Sequence, residues 1–253
     1  MIGIRNLYKV FNESRKAARQ QATLAVTGDS SRAAEIAALL DAPRKDKGAE
    51  IILAIPESGD RLTISGKAVD DPGEVSVSTV TEEVLKDLLV PWIVDALDDE
   101  YLVPLAKGYP VFRRAVCERV VRKNARENAV IGALPIPGAD MPVMTANQAR
   151  MVLNIAAAYD EELSLERARE LLGVLGAGFG LRALTRQVIK LIPIGGWAAA
   201  AAIGYAGTVA MGRATVLYFE RGGQQVGQKE MADIQRRAAD EAKTFVSRMR
   251  RKK

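Results

Sequence analysis

Side chains capable of acid–base or metal chemistry are scarce in this sequence, which contains no histidine and a single cysteine, Cys117. Histidine is the commonest general base near neutral pH and the commonest metal ligand, while zinc cages and internal disulfides need several thiols. Serine–histidine–acid triads, cysteine–histidine pairs and cysteine-based zinc sites are therefore excluded. We predict no enzyme activity, no metal site and no cofactor, and the lone cysteine indicates a reducing compartment.

A strand–turn–helix pattern, TLAVTGDSSRAAEIAALL, lies where a nucleotide-binding phosphate loop would lie. That loop needs a second glycine followed by Lys and Ser or Thr, because backbone N–H groups and the lysine together hold the phosphates. Counted from Gly28, these places hold Ala33, Ala34 and Glu35, which argues against GTP or ATP hydrolysis. The tetrapeptide DDPG at 70–73 matches the Asp-x-x-Gly of GTPases, but Asp-Pro-Gly is also an ordinary turn.

Asp140 is the only charged residue between Glu127 and Arg150. A catalytic acid needs a second titratable group nearby, and the local sequence contains none. We interpret Asp140 as a structural polar residue, together with Asn147 and Arg150. It either caps a helix that begins near Met141 or Pro142, or pairs with Arg150 or another arginine.

Glycine and alanine recur at helical spacing in two apolar segments, GVLGAGFGLRALTRQVIK and GGWAAAAAIGYAG. Glycine costs a soluble helix about 1 kcal/mol relative to alanine, so repeated glycines indicate close helix packing or a hydrocarbon environment. We predict an apolar helical hairpin over residues 165–219. Its predicted helix–helix packing positions are Gly173, Gly176, Gly180, Gly196 and Gly204.

A basic stripe precedes the uncharged run 191–212. Such a stripe contacts lipid phosphates or an acidic partner, or is a solvated helix face. The run is close to the roughly 20 residues that cross a bilayer, although its alanines and glycines also suit a tightly packed soluble helix. We predict a membrane-associated hairpin, with a buried soluble pair as the alternative. The predicted lipid or partner contacts are Arg182, Arg186, Lys190, Trp197 and Arg213.

The net charge of +5 is unevenly distributed. Residues 1–20 carry five Lys or Arg and one Glu, and residues 213–253 carry eleven Lys or Arg and five Asp or Glu, so the middle has a net charge of −5. Basic ends favour an anionic surface, either lipid headgroups or nucleic acid. Nucleic acid is the weaker partner, because no recognised binding motif is present and few aromatic residues lie near the basic ends.

The elements that carry these residues fall into four segments. Residues 1–20 predict a basic amphipathic helix, and residues 21–98 predict a small α/β domain in which short β-branched runs alternate with helical patterns. Residues 99–220 predict an all-helical domain that contains the hairpin, and residues 221–253 predict a basic C-terminal helix. The predicted fold class is α+β.

Two stretches, NAVIGALPIPGADMPVMTANQARMVLNIAAAYD and LLGVLGAGFGLRALTRQVIKLIPIGGWAAAAAIGYAGTVAMGRATVLYFE, carry a resemblance. Roughly residues 110–220 resemble a bacterial helical domain of unknown function. That domain occurs at the C-terminus of some Era-like GTPases and in stand-alone, often membrane-associated proteins. The resemblance implies that residues 21–95 stand where GTPase members have their nucleotide domain. Because the phosphate-loop lysine is absent, it implies a degenerate, GTPase-like but non-hydrolysing counterpart.

These observations favour a non-enzymatic scaffold or partner protein on the cytoplasmic side of the bacterial inner membrane. Its expected partners are inner-membrane lipid and a GTPase or another protein, and a homo-oligomer is compatible with the sequence. The alternative is a soluble cytoplasmic binding module in which the hairpin is buried core and the basic termini bind an acidic protein or nucleic acid. A third hypothesis, GTP binding without hydrolysis, depends only on the strand–turn–helix and DDPG.

Overall fold

The computed structural model describes residues 12, 14, 20–134, 140–161, 164, 166 and 196–251. The predicted α+β class is confirmed, since a small four-stranded sheet is followed by a helical region. The predicted N-terminal helix and the first arm of the predicted hairpin lie outside the described residues, apart from a few isolated positions.

The chain divides into two compact units. The α/β unit contains Arg15–Arg119 and Ala157–Glu161, and the helical unit contains Met1–Ser14, Val120–Ala156 and Glu162–Lys253. The α/β unit thus continues past residue 98, where the sequence pattern places the end of the small α/β domain.

The sheet of the α/β unit has the strand order β1-β2-β3-β4, with β1 at Leu24–Thr27, β2 at Ile51–Ala54, β3 at Arg61–Ser65 and β4 at Gly73–Ser76. Strands β1 and β2 are parallel, and the other two pairs are antiparallel. Parallel strands need a crossover connection, which here contains helix α1, Ser31–Leu40. The buried strands β1 and β2 supply much of the core of this unit.

Helix α1 begins where the sequence pattern predicts, after the turn that follows β1. Ser30 is the N-cap, and its hydroxyl accepts a hydrogen bond from the N–H of Ala33 at 3.2 Å. Gly28 has a φ of +126°, and a Cβ there would collide with the carbonyl oxygen of Ile55. This glycine is therefore required by the backbone of the turn itself.

A single helical stretch follows the sheet and changes its winding along its length. It comprises α2 (Glu82–Val84), a π-helical turn (Leu85–Leu89) and α3 (Val90–Ala96). Proline lacks an N–H and its ring clashes with the carbonyl four residues earlier, so Pro91 accounts for the wider turn before it. The sequence TVTE at 79–82 predicts a capping box that opens this helix, with Thr79 as the cap. That position is wrong, because the cap is Thr81, whose hydroxyl accepts from the N–H of Val84 at 3.1 Å.

Helix α4 (Asp99–Gly108), a 3-10 turn (Pro110–Phe112) and helix α5 (Arg113–Ala133) come next. The Tyr109 hydroxyl ties this region to β1 by accepting from the N–H of Leu24 at 3.0 Å and donating to its carbonyl at 3.3 Å. Arg119 donates to the carbonyl oxygen of Leu97 at 2.9 Å, just beyond the end of α3. Cys117 is fully buried in α5, as expected of a packing residue.

The helical unit contains the second half of α5, together with α6 (Asp140–Ala158), α7 (Trp197–Glu220) and α8 (Gln228–Arg251). Helix α7 lies against the other three helices. A Cβ at Gly132 of α5 would come within 2.9 Å of the carbonyl oxygen of Ala200, and a Cβ at Gly204 within 2.7 Å of that of Asn128. A Cβ at Gly212 would collide with Val121. These three contacts show that α5 and α7 are antiparallel and closely packed.

Within the described residues, no helix combines the length and apolar character needed to cross a membrane.

Candidate functional site

Four large apolar side chains are exposed at one end of the helical unit: Val130 at 51%, Leu134 at 50%, Val143 at 49% and Trp197 at 40%. They lie near one another because α5 finishes, α6 begins and α7 begins at this end. Gly204 fixes the alignment, since its α-carbon faces both Asn128 of α5 and Met144 of α6. We call Val130, Leu134, Val143 and Trp197 the apolar end. Exposed apolar side chains gathered at one end of a unit are typical of a protein or membrane contact.

Helix α5 presents a graded stripe that leads to the apolar end. Arg122, Arg126, Val130 and Leu134 follow one another at four-residue intervals, and all four are exposed. At 1.5 Å of rise per residue, Arg126 lies about 6 Å and Arg122 about 12 Å below Val130 along the helix axis. The stripe therefore changes from basic to apolar as it approaches the end of the unit.

Helix α8 brings further cations to the same end. The rings of Tyr205 and Phe245 stack with centroids 4.6 Å apart, and the Tyr205 hydroxyl donates to Glu241 Oε1 at 2.9 Å. Further along α7, Arg213 pairs with Glu241 and the following Arg221 with Glu230, so α7 and α8 are antiparallel and the last turn of α8 lies level with the first turn of α7. Arg248 and Arg251, both exposed, belong to that last turn.

Glu241 of α8 is connected to α7 and α5 by a hydrogen bond and two ion pairs. Its carboxylate accepts from the Tyr205 hydroxyl, lies 2.9 Å from Arg213 Nη2 and 4.0 Å from Arg122 Nε. Burial, and then the hydrogen bond to Glu241, raise the pKa of the Tyr205 phenol above its ordinary value. Tyr205 is therefore a neutral hydrogen-bond donor at physiological pH and unsuited to act as a base.

A buried polar cluster joins α5, α6 and α7. Asn128, which is fully buried, donates to the Thr208 hydroxyl at 2.8 Å and accepts from the Asn147 amide at 3.2 Å. Thr208 in turn donates to the carbonyl of Gly204 at 2.8 Å, and the Gln148 amide lies 3.4 Å from the Thr208 hydroxyl. A satisfied cluster of this kind fixes the register of the three helices.

The structure separates the predicted contact residues. Trp197 is exposed in the first turn of α7, whereas Arg213 lies four turns further along and pairs with Glu241. Tyr205, which lies between them, is only 4% exposed, so α7 is core of the helical unit beyond its first turn. The other predicted basic contacts, Arg182, Arg186 and Lys190, lie outside the described residues.

The predicted packing glycines are likewise divided. Gly204 lies at the close contact with Asn128, and Gly196 precedes α7 with a φ of +80° and nothing near its α-carbon. Gly173, Gly176 and Gly180 lie outside the described residues. Two close-contact glycines, Gly132 and Gly212, were not among the predicted positions.

The three predicted structural polar residues all lie on α6. Asp140 is the first residue of the helix, one or two positions before the start predicted near Met141 or Pro142. Asn147 belongs to the buried polar cluster, and Arg150 is partly exposed. The prediction missed Asn128, Thr208 and Glu241, whose partners are distant in sequence, but the four-residue stripe on α5 was visible in the sequence.

The α/β unit contains a shallow cleft of about 570 Å³. Two of its polar side chains have structural partners: Lys107 lies 3.1 Å from Asp160, and the Tyr109 hydroxyl bonds to the backbone of β1. The Thr23 N–H donates to Glu50 at 2.9 Å, and hydrogen bonds from Thr23 hold the Glu50 pKa below its ordinary value. The lining residues are Gln20, Gln21, Ala22, Thr23, Pro104, Lys107, Gly108 and Tyr109. Among the described residues, no group of three or more Cys, Asp or Glu side chains is placed to hold a metal ion.

The family model for a domain of unknown function, DUF697, matches residues 106–244, more than half of the chain. The chain belongs to the DUF697 family. This match confirms the predicted relationship to a helical domain of unknown function. No curated protein and no solved structure matches the chain. The DUF697 region contains the apolar end, the buried polar cluster and Glu241, whereas Arg248 and Arg251 follow it.

Proposed function

We propose that this DUF697 protein is a non-enzymatic scaffold that binds the cytoplasmic face of an anionic membrane through its apolar end. The observation that carries the proposal is the exposure of four large apolar side chains from three helix termini at one end of the helical unit. An aromatic residue such as Trp197 is typical of the membrane–water interface, where its ring is partly apolar and its N–H reaches polar groups.

The charges around the apolar end suit an anionic lipid surface. Arg126, Arg248 and Arg251 are exposed on the helices that reach this end. Basic residues near an anionic leaflet contribute roughly 1 kcal/mol each, and the attraction decays within a Debye length. With the apolar end at the acyl boundary, Arg126 would lie about 6 Å further out, at the depth of the lipid phosphates.

The contact is end-on and shallow. Because Tyr205 and most of α7 beyond its first turn are buried within the helical unit, lipid would contact only the start of this helix. Val130 and Leu134 of α5 and Val143 of α6 would contact the lipid beside it. Binding then combines a small apolar insertion with electrostatic attraction, as for interfacial helices.

In the proposed scaffold, the α/β unit is the part that contacts other proteins. A strand–turn–helix such as that of β1 and α1 is the element that carries a phosphate loop in GTPases, but here Ala33, Ala34 and Glu35 stand at the positions of the residues that hold phosphate. In this proposal the unit is a degenerate counterpart that binds no nucleotide and acts beside a GTPase or another protein.

The soluble binding module is the second candidate, and burial of Tyr205 and of most of α7 favours it. In that case α7 only packs in the core of the helical unit and contacts no lipid, and the basic C-terminal helix binds an acidic protein or nucleic acid. Vesicle binding distinguishes the two candidates, because a soluble module has no reason to require Val130 or Leu134.

The test is co-sedimentation of the full chain with vesicles of phosphatidylglycerol and phosphatidylcholine, compared with phosphatidylcholine alone. The double variant Val130→Ser, Leu134→Ser should lower the bound fraction by about tenfold, since each substitution removes an exposed apolar side chain. Leu88→Ser, which removes an exposed leucine from the α/β unit, is the matched control and should bind as the unmodified protein does. Equal binding by all three proteins, or no binding at all, would contradict the proposal.

A further inference from the structure

The α/β unit has a second apolar surface, distinct from the apolar end of the helical unit. On the α2–π–α3 stretch, Val84, Leu88 and Trp92 follow one another at four-residue intervals, with Pro91 beside Trp92. Leu88 is 41% exposed, and the other three are partly exposed. We call these four residues the apolar strip.

The strip lies beside the last strand in the sheet order. A Cβ on Gly73 of β4 would lie 4.0 Å from Trp92 Nε1. Leu88 belongs to the π-helical turn, a type of irregularity found often at functional sites. Pro91 explains why the helix widens here, but it does not explain why a leucine faces solvent in the widened turn.

Carboxylates surround the strip. Asp87 and Asp95 flank it on its own helical stretch, and Glu74 follows Gly73 on β4. The N–H groups of Asp70 and Asp71 bond to the carbonyl of Ala96 at 2.9 and 3.1 Å, which places both residues at the end of α3. All five of these acidic residues are exposed.

Few cations offset this charge locally. Between residues 68 and 106 the sequence contains ten Asp or Glu residues, all exposed, and one cation, Lys86. Lys86 lies 2.5 Å from Glu82. Two cations from outside this range also form pairs, since Arg61 on β3 lies 3.5 Å from Glu74 and Arg119 on α5 lies 3.2 Å from Asp99. The surface around the strip is therefore strongly negative.

The negative charge around the apolar strip determines which kind of partner can bind there. An anionic bilayer, a nucleic acid or the same face of a second copy would place negative charge against these carboxylates, which is unfavourable. A cationic partner gains attraction and steered association instead. From Val84 to Trp92 the strip spans nine residues of helix, a rise of about 12 Å, which matches the i, i+4, i+7 apolar face of a short partner helix.

We propose that the apolar strip docks a cationic amphipathic helix of another protein, with the apolar face of that helix on Leu88 and Trp92 and its Lys or Arg residues on the surrounding carboxylates. This interaction is independent of membrane binding, because it uses a different unit and the opposite charge.

The experiment measures binding of a fluorescently labelled amphipathic peptide of leucine and lysine to the full chain by anisotropy. Leu88→Ser and Asp95→Lys should each weaken binding by about tenfold or more. Glu35→Lys on α1 makes the same change in net charge and should have little effect, and Val130→Ser, Leu134→Ser should have none. Thermal unfolding of each variant checks that it is folded.

Four results would overturn the inference. The first is no binding of the peptide by the unmodified protein. The second is equal weakening by Glu35→Lys and Asp95→Lys, which would mean that net charge alone attracts the peptide. The third is equal affinity for a scrambled peptide of the same composition, which cannot present an apolar face. If Leu88→Ser instead abolishes self-association in sedimentation velocity, the occupant is a second copy and the inference fails.

Discussion

The Tyr205 hydroxyl donates a hydrogen bond to Glu241 across the contact between α7 and α8, with 2.9 Å between the oxygens. The same carboxylate lies 2.9 Å from Arg213 Nη2. One acidic residue on α8 therefore holds two side chains of α7 that are eight residues apart. This contact holds α7 and α8 in the antiparallel arrangement that places Trp197, in the first turn of α7, level with Arg248 and Arg251 in the last turn of α8.

A double-mutant cycle should show that this pair stabilises the fold. Tyr205→Phe removes one donor and should lower the free energy of unfolding by about 1 kcal/mol, while Glu241→Ala should cost more, because it leaves a mostly buried phenol and Arg213 without their acceptor. Urea denaturation of the two single variants and the double variant measures the coupling. Strictly additive effects would mean that the hydrogen bond contributes nothing.

Alkaline pH should destabilise the protein in a way that depends on Tyr205. Burial and Glu241 raise the folded-state pKa of this phenol, so the folded protein retains a proton that the unfolded chain releases above about pH 10. The contribution of Tyr205 is present below that pH and is lost as pH rises through the raised pKa. Tyr205→Phe should therefore show a shallower loss of unfolding free energy between about pH 9 and 11, measured by denaturant titration; identical slopes would contradict this.

The close contact between α5 and α7 should make Gly204 intolerant of a side chain. Helix propensity alone would make Gly204→Ala stabilising by about 1 kcal/mol. The new Cβ, however, would lie 2.7 Å from the carbonyl oxygen of Asn128 and 2.9 Å from the end of Met144, so we expect a lower Tm. The reverse exchange, Ala199→Gly, is at a partly exposed position of α7. It measures how far the Tm changes from the difference in helix propensity between alanine and glycine alone. A Tm raised by Gly204→Ala would show that the helices separate easily.

Two threonines near the start of α2 give a matched pair of variants. Thr81→Ala removes the hydroxyl that accepts from the N–H of Val84 and should cost about 1 kcal/mol. Thr79→Ala removes an equally exposed hydroxyl two residues earlier, outside the cap, and should leave the free energy of unfolding nearly unchanged. Thermal denaturation followed by circular dichroism compares them, and equal losses would place the cap elsewhere.

The sequence predicted those features that depend on local pattern. The buried strands, the capped helix α1 and the order of sheet before helices follow from hydrophobic periodicity and turn residues. The position of the second cap was wrong because only Thr79 has an acidic residue three positions later, Glu82, whereas the helix is capped by Thr81, which has Val84 at that spacing. The π-helical turn was missed, although Pro91 pointed to an irregularity.

The candidate site was harder to predict, because its residues come from separate helices. Asn128 and Thr208 are 80 residues apart, and Tyr205 and Glu241 are 36 apart, so no local pattern pairs them. The sequence predicts Trp197 as a lipid or partner contact, but the other residues of the apolar end, Val130, Leu134 and Val143, come from α5 and α6. Only the antiparallel alignment of the helices brings these ends together.

The most direct measurement is the fluorescence of Trp197 during vesicle binding. The chain has two tryptophans, Trp92 and Trp197, so Trp92→Phe leaves Trp197 as the sole tryptophan. On addition of phosphatidylglycerol vesicles, membrane contact through the apolar end predicts a blue-shifted emission that brominated acyl chains quench, and salt should weaken both effects. An unchanged and unquenched emission, at lipid concentrations where the protein sediments with the vesicles, would contradict contact through this end.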